Sequence, residues 1–116
     1  MIVHIAHAEQ WEAAQETGGE YLPADFEEDG FIHCSFPDTV AEVANERFAG
    51  QDDLVLLWID PPKVKAGVIY ERLPGVEVGD LYPHIYGGLN ADAVVGVSRL
   101  EAWKSGGFVL PPQPAT

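Results

Sequence analysis

Four histidines stand out in a chain whose charged residues are mostly acidic. Histidine titrates near neutrality, uses two distinct ring nitrogens and also ligates metals. His4 and His33 fall inside short apolar stretches, Ile2-Val3-His4-Ile5 and Phe31-Ile32-His33-Cys34-Ser35, while His84 lies between Tyr82 and Tyr86. His7 falls at a strand end and is the least informative of the four. Taken singly, each is readily explained as a structural imidazole bonded to a backbone carbonyl. Together they can converge, and two chemistries use such a convergence. Zinc wants three or four His, Cys or carboxylate ligands in a tetrahedron, for which His4, His33, His84 and Glu71 are the available set. No H-x-x-x-H or C-x-x-C pair supports that spacing, so no metal is assigned and zinc stands as a lesser alternative. The other chemistry is a polar slot for a nucleotide-like ligand. There His donates to ribose hydroxyls, Tyr offers a stacking face and Glu places charge near a reacting carbon. His4, His33, Tyr70, Glu71, His84 and Tyr86 match that composition.

Each of these residues has a plainer reading. Tyr70 and Tyr86 could be packing residues whose hydroxyls reach water, and Glu71 could be a solvated strand edge. Ser35 is placed to cap the helix that follows it, with Asp38 three residues on. His33 and Cys34 are strand neighbours, so their side chains point to opposite faces and cannot form a Cys–His pair. A serine hydrolase would need a G-x-S-x-G elbow, which is absent. The acidic runs Glu27-Glu28-Asp29 and Asp52-Asp53 read as solvated faces.

The elements that must position these groups follow from pattern. Ile2–Ala6 reads as a strand, and Ala8–Glu16 as a helix that Gly18-Gly19 stops. Tyr21–Asp29 is an acidic connection with room for one helical turn. The turn signal Asp29-Gly30 introduces a strand over Phe31–Ser35. The clearest helix spans about Pro37–Ala49, where Val40, Val43, Ala44 and Phe48 share a face while Glu42, Glu46 and Arg47 face elsewhere. Leu54–Ile59 is an unbroken apolar run, expected as a strand buried on both faces. Gly67–Leu73 reads as a strand, Pro74–Leu81 as a loop and Ala93–Trp103 as a last strand. Strands and helices in this order predict an α+β domain with one helical face, covering residues 1–105, with a Gly/Pro-rich tail over 106–116 whose Pro-rich end, Leu110–Thr116, is expected to be mobile.

Charge narrows the partners. Six Lys and Arg against nineteen Asp and Glu leave a net charge of −13 in 116 residues. A pI near 4.3 cannot supply the cation density that nucleic acid demands, and anionic lipid would repel the chain. A small-molecule ligand is the remaining expectation, with neither nucleic acid nor membrane as partner. No basic, apolar leader precedes the first strand, and the lone Cys34 has no internal disulfide partner, so a cytoplasmic protein is expected. The nucleotide fingerprints G-x-G-x-x-G and G-x-x-x-x-G-K-[ST] do not occur.

Several strings together resemble a known family. Ile2-Val3-His4-Ile5, Asp29-Gly30-Phe31-Ile32-His33-Cys34-Ser35, Val43-Ala44-Asn45, Asp53-Leu54-Val55-Leu56-Leu57 and Pro83-His84-Ile85-Tyr86-Gly87 look like the domain of unknown function 952 family, small bacterial proteins without an established activity. The likeness runs to about Leu100, with Gly88 standing where Pro is expected. That family is in turn similar to the ADP-ribosyltransferase-like fold, which implies a split, mixed β-sheet with an NAD-binding cleft. By that resemblance His4 takes the place of the residue holding the nicotinamide ribose. The string Phe31–Ser35 resembles the H-V-H-L-S string of tRNA 2′-phosphotransferases, which puts His33 and Ser35 in the same cleft. Tyr86 would flank the ring, Tyr70 would help bind the cofactor, and His33, Glu71 and His84 would be the catalytic groups. Glu71 sits in no recognisable transferase motif, and Arg47, Arg72 and Arg99 match none of the phosphotransferase arginines. Two readings therefore stand: an NAD-using ADP-ribosyl transferase, or a nucleotide-binding module that kept the fold without the reaction.

Overall fold

A computed structural model describes residues 1–72, 79–101, 108 and 110–114. Its strands form two three-stranded sheets, and every pairing among the described residues is antiparallel. The first sheet is ordered β1-β3-β6, from β1 (Ile2–His7), β3 (Leu54–Ile59) and β6 (Val94–Leu100). The second is ordered β2-β5-β4, from β2 (Ile32–His33), β5 (Tyr82–Ile85) and β4 (Val68–Glu71). The expected α+β class and the split are found; the expected mixture of strand directions is not. Parallel neighbours need long crossover connections, and here both of the first sheet's pairings are antiparallel.

The central strand β3 is buried on both faces, as its unbroken apolar run requires. Leu54, Leu56 and Trp58 join Val3, Ile5 and Leu100 in a cluster with Val40 and Ala44, the buried residues of helix α3 (Val40–Arg47). Leu57 and Ile59 face the other way, with Ile2 and Ala6, onto Ile32 and Ile85 of the second sheet and onto Tyr21 and Leu89. Cys34 joins this second cluster, on the opposite side from His33, as strand alternation requires.

Helix α1 (Ala8–Thr17) ends at Gly18, which takes φ +70° as a left-handed cap. The expected single turn in the acidic connection is α2 (Phe26–Asp29). Helix α3 is shorter than its sequence pattern. Its start is a turn in which the Phe36 carbonyl accepts from both Thr39 and Val40 N–H, at 3.1 and 3.0 Å. Ser35 is therefore not its cap; Thr39 holds that position without a side-chain cap bond.

A segment between the sheets ties them together. Ile32 and His33 pair with β5, while Ser35 exchanges both backbone hydrogen bonds with Val3 of β1, at 2.9 and 2.8 Å. Short 3-10 turns at Pro61–Lys63 and Ala91–Ala93 are joined by buried Asn90, which accepts from Lys65 N–H and donates to the Lys63 carbonyl. At the start of the expected tail, Phe108 is buried in the α3 cluster and its N–H donates to Asn45 Oδ1 at 2.7 Å. The boundary placed at residue 105, most of the loop expected over 74–81 and the last residues of two expected strands lie outside the described residues. Among the described residues no helix is long and apolar enough to cross a membrane.

Candidate functional site

The two sheets part where β1 runs past Val3. Beyond that residue β1 has no partner on its second edge among the described residues, and a cleft of about 360 Å³ opens there. Its walls include His4 from β1, Tyr21, His33 and Ser35 from the segment between the sheets, and Arg47 from the last turn of α3. The volume lies toward the lower end for small-molecule sites. A chamber of about 70 Å³ is lined by His33, Ser35 and Arg47 again, together with Glu46, Tyr82 and His84. Cleft and chamber thus share walls.

His4 is held from both sides. Its Nδ1–H donates to the His33 carbonyl at 2.5 Å, and its Nε2 lies 2.9 Å from the Tyr21 hydroxyl. Burial drives its pKa down to about 4, outweighing the carbonyl bond that favours the charged form. The ring is therefore neutral near pH 7, Nε2 is an acceptor, and Tyr21 donates to it. Burial also pushes the Tyr21 hydroxyl well above the ordinary tyrosine range. His4 thus lines the cleft with both ring nitrogens bonded to protein groups.

His33 is placed by a local device. Gly30 takes φ +79° to end α2, its N–H bonding back to the Phe26 carbonyl, and this returns the chain over Asp29. His33 Nε2 then meets Asp29 Oδ2 at 2.9 Å. Asp29 therefore orients the ring, a role hidden in a run of acids that reads as a solvated face.

His84 sits opposite His33 in the β2–β5 register. Its ring is fully buried, stacked on Phe31 with centroids 4.1 Å apart. His84 Nδ1 is 2.8 Å from Glu71 Oε1, and the Tyr86 hydroxyl donates to the same oxygen. These bonds, Tyr86 first and His84 second, hold the Glu71 carboxyl below the usual carboxylate range. The same bond raises Tyr86. Glu71, His84 and Tyr86 thus form one hydrogen-bonded group, but only His84 of the three lines the chamber, and none lines the larger cleft.

Tyr70 departs from the expected set. Alternation along β4 places it on the other face from Glu71, where it stacks on Phe36 at 6.0 Å and remains half exposed. The zinc alternative fails on geometry: among the described residues no three His, Cys, Asp or Glu side chains converge as ligands. Both nitrogens of His4 and one each of His33 and His84 already have protein partners. Conversely, His7 is more involved than expected, lining the cleft and bonding Gln51 at 2.9 Å. Sequence reasoning also passed over Arg47, reading it as solvent-facing. The available signal was its i, i+4 spacing from Val43, a core-face residue that lines the same cleft.

Two antiparallel sheets split by a cleft, with histidines and an arginine on its walls, define a small α+β protein. Residues 5–97 match the family described as a protein of unknown function, DUF952, and the chain belongs to that family. The crystal structure of protein CC0527 from Caulobacter crescentus is similar at a TM-score of 0.80 and 28% identity, covering 94% of this chain and 93% of that one. Its solution structure gives 0.73 and 31%, over 91% and 89%. No curated protein matches the chain. The matched residues include His33, Ser35, Arg47, Glu71, His84 and Tyr86, and His4 lies one residue before them.

Proposed function

We propose that the cleft binds a small molecule containing ADP-ribose, NAD foremost, and that the chain acts as an ADP-ribosyltransferase-like protein of the cytoplasm. The observation carrying this reading is the convergence of His33, Ser35 and Arg47 on one cleft beside the neutral His4–Tyr21 pair. A pyrophosphate needs local compensation in a protein of net charge −13. Arg47 is a cation on the wall with no carboxylate within 4.0 Å among the described residues, which suits a fork that takes two phosphate oxygens. His33, oriented by Asp29, has its other nitrogen for ribose or the reacting centre. His4 supports this from behind by fixing the Tyr21 hydroxyl and the His33 carbonyl. Glu71 and His84 supply the acid–base pair, and Tyr86 fixes Glu71 rather than stacking on a ring. The likeness to the ADP-ribosyltransferase-like fold rests on the split sheets and on a histidine in the first strand, not on strand direction.

A second reading, a binding module without catalysis, draws on the placement of Glu71 and Tyr86, which face each other rather than the larger cleft. Ligand-observed NMR with NAD, ADP-ribose and nicotinamide tests the first step. Saturation should reach the ribose protons, and Arg47→Ala should weaken ADP-ribose binding by roughly ten- to a hundredfold, the value of a charged hydrogen bond. Equal binding by Arg47→Ala, or no transfer to any of the three from folded protein, overturns the reading. Nicotinamide release from NAD separates the transferase from the binding module.

A further inference from the structure

His84 carries an observation that the cleft alone does not explain. Its ring is 0% exposed, Nδ1 is bonded to Glu71, and Nε2 is buried with no hydrogen-bond partner among the described residues. A buried polar atom left unsatisfied costs free energy and demands a reason. The Glu71 carboxylate accepts at Nδ1, which fixes the proton there and leaves a lone pair at Nε2. The same histidine lines the chamber of about 70 Å³, with His33, Ser35, Glu46, Arg47 and Tyr82 as its other polar walls. That volume accommodates a water or one small hydroxyl-bearing group, and its polar lining offers the several partners such a group requires.

We propose that the chamber is a hydroxyl subsite: a water or the hydroxyl of a small alcohol sits in it and donates its hydrogen bond to His84 Nε2, with Glu71 holding the imidazole. The arrangement is that of a base oriented by a carboxylate. Where the cleft holds NAD, a step that rests on the reading above follows. The hydroxyl oxygen forms its bond to the ribose carbon as the bond from that carbon to the nicotinamide nitrogen breaks. Its proton passes to His84 Nε2, the Glu71 carboxylate stabilises the resulting imidazolium, and nicotinamide leaves neutral. Water in the chamber gives ADP-ribose, and an alcohol gives the corresponding O-glycoside.

The subsite is tested without any nucleotide. Long-range proton–nitrogen NMR on the full chain should show His84 with its proton on Nδ1. Cross-relaxation should connect the His84 ring protons to a bound water, or to the methyl protons of added methanol if the chamber admits an alcohol. A proton resident on Nε2, or neither contact, overturns the subsite. The step is tested with NAD and methanol together. His84→Gln should slow nicotinamide release roughly a hundredfold, the lower range for a general base, while ADP-ribose binding is unchanged. Glu71→Gln, at a more exposed position, should slow it in the same direction if His84→Gln does not fold. Release at an undiminished rate in a folded variant overturns the step. Failure to bind NAD at all overturns the reading of the cleft and with it the step, and the NMR contacts alone then decide the subsite.

Discussion

His4 and His84 are buried to nearly the same depth, yet the molecule uses them in opposite ways. His4 is closed: its Nδ1–H donates to a carbonyl, its Nε2 accepts from a tyrosine hydroxyl, and the ring stays neutral. His84 is half open: Glu71 engages one nitrogen, and the other has no partner among the described residues and belongs to a residue lining a small chamber. Burial by itself therefore does not tell a histidine with both ring nitrogens bonded from one with a nitrogen left open. The count of satisfied ring nitrogens does. A satisfied pair contributes to stability, whereas an open nitrogen costs stability and is available to a ligand.

The contrast can be broken most sharply at His4. Replacing it with Ala removes a buried ring and leaves the Tyr21 hydroxyl and the His33 carbonyl without partners, so about 3–5 kcal/mol of stability should be lost in urea unfolding. A loss below about 1 kcal/mol would remove His4 from its structural role. Acid should report on the same ring. With a folded pKa of about 4 against an ordinary 6.5, the unfolded chain binds more protons between those values. Stability should therefore fall by up to about 3 kcal/mol as pH drops from about 6.5 to 4, a fall that His4→Gln should flatten. Glu71, held low by its bonds, contributes in the same direction at more acid pH. Its contribution is present above its unfolded pKa near 4.5 and is lost as pH falls through the lower folded value.

Smaller effects sharpen the contrast. Tyr21→Phe keeps the ring and removes only the donor to His4, for an expected cost of about 1–2 kcal/mol. His84→Leu should change stability by less than about 1 kcal/mol, because the loss of the Glu71 bond is offset by removing a nitrogen that has no protein partner among the described residues. Thermal unfolding of both variants checks the order. A His84→Leu loss as large as that of His4→Ala would mean that Nε2 is tied into the fold as firmly as the nitrogens of His4, and the distinction between the two histidines would disappear.

The amino-acid sequence by itself determined the α+β class, the doubly buried central strand, the helix stop at Gly18 and the separation of His33 from Cys34. These follow from periodicity, from glycine's access to positive φ and from strand alternation, all of which act over a few residues. It also drew attention to His33 and His84, which line the same chamber, because histidines among apolar neighbours are visible locally. Tertiary structure alone decided which of them face one another. Strand direction depends on how distant segments pair, so the antiparallel pairing of all the described strands was not legible, and a mixed sheet was expected in its place. Tyr21, 17 residues from His4 in sequence, and Arg47, on a helix flank, became walls only when the sheets parted beside β1. Tyr70 left the set because β4 turns successive residues to opposite faces. Whether a ring nitrogen is spent or open depends on partners from elsewhere in the chain, and only folding supplies them.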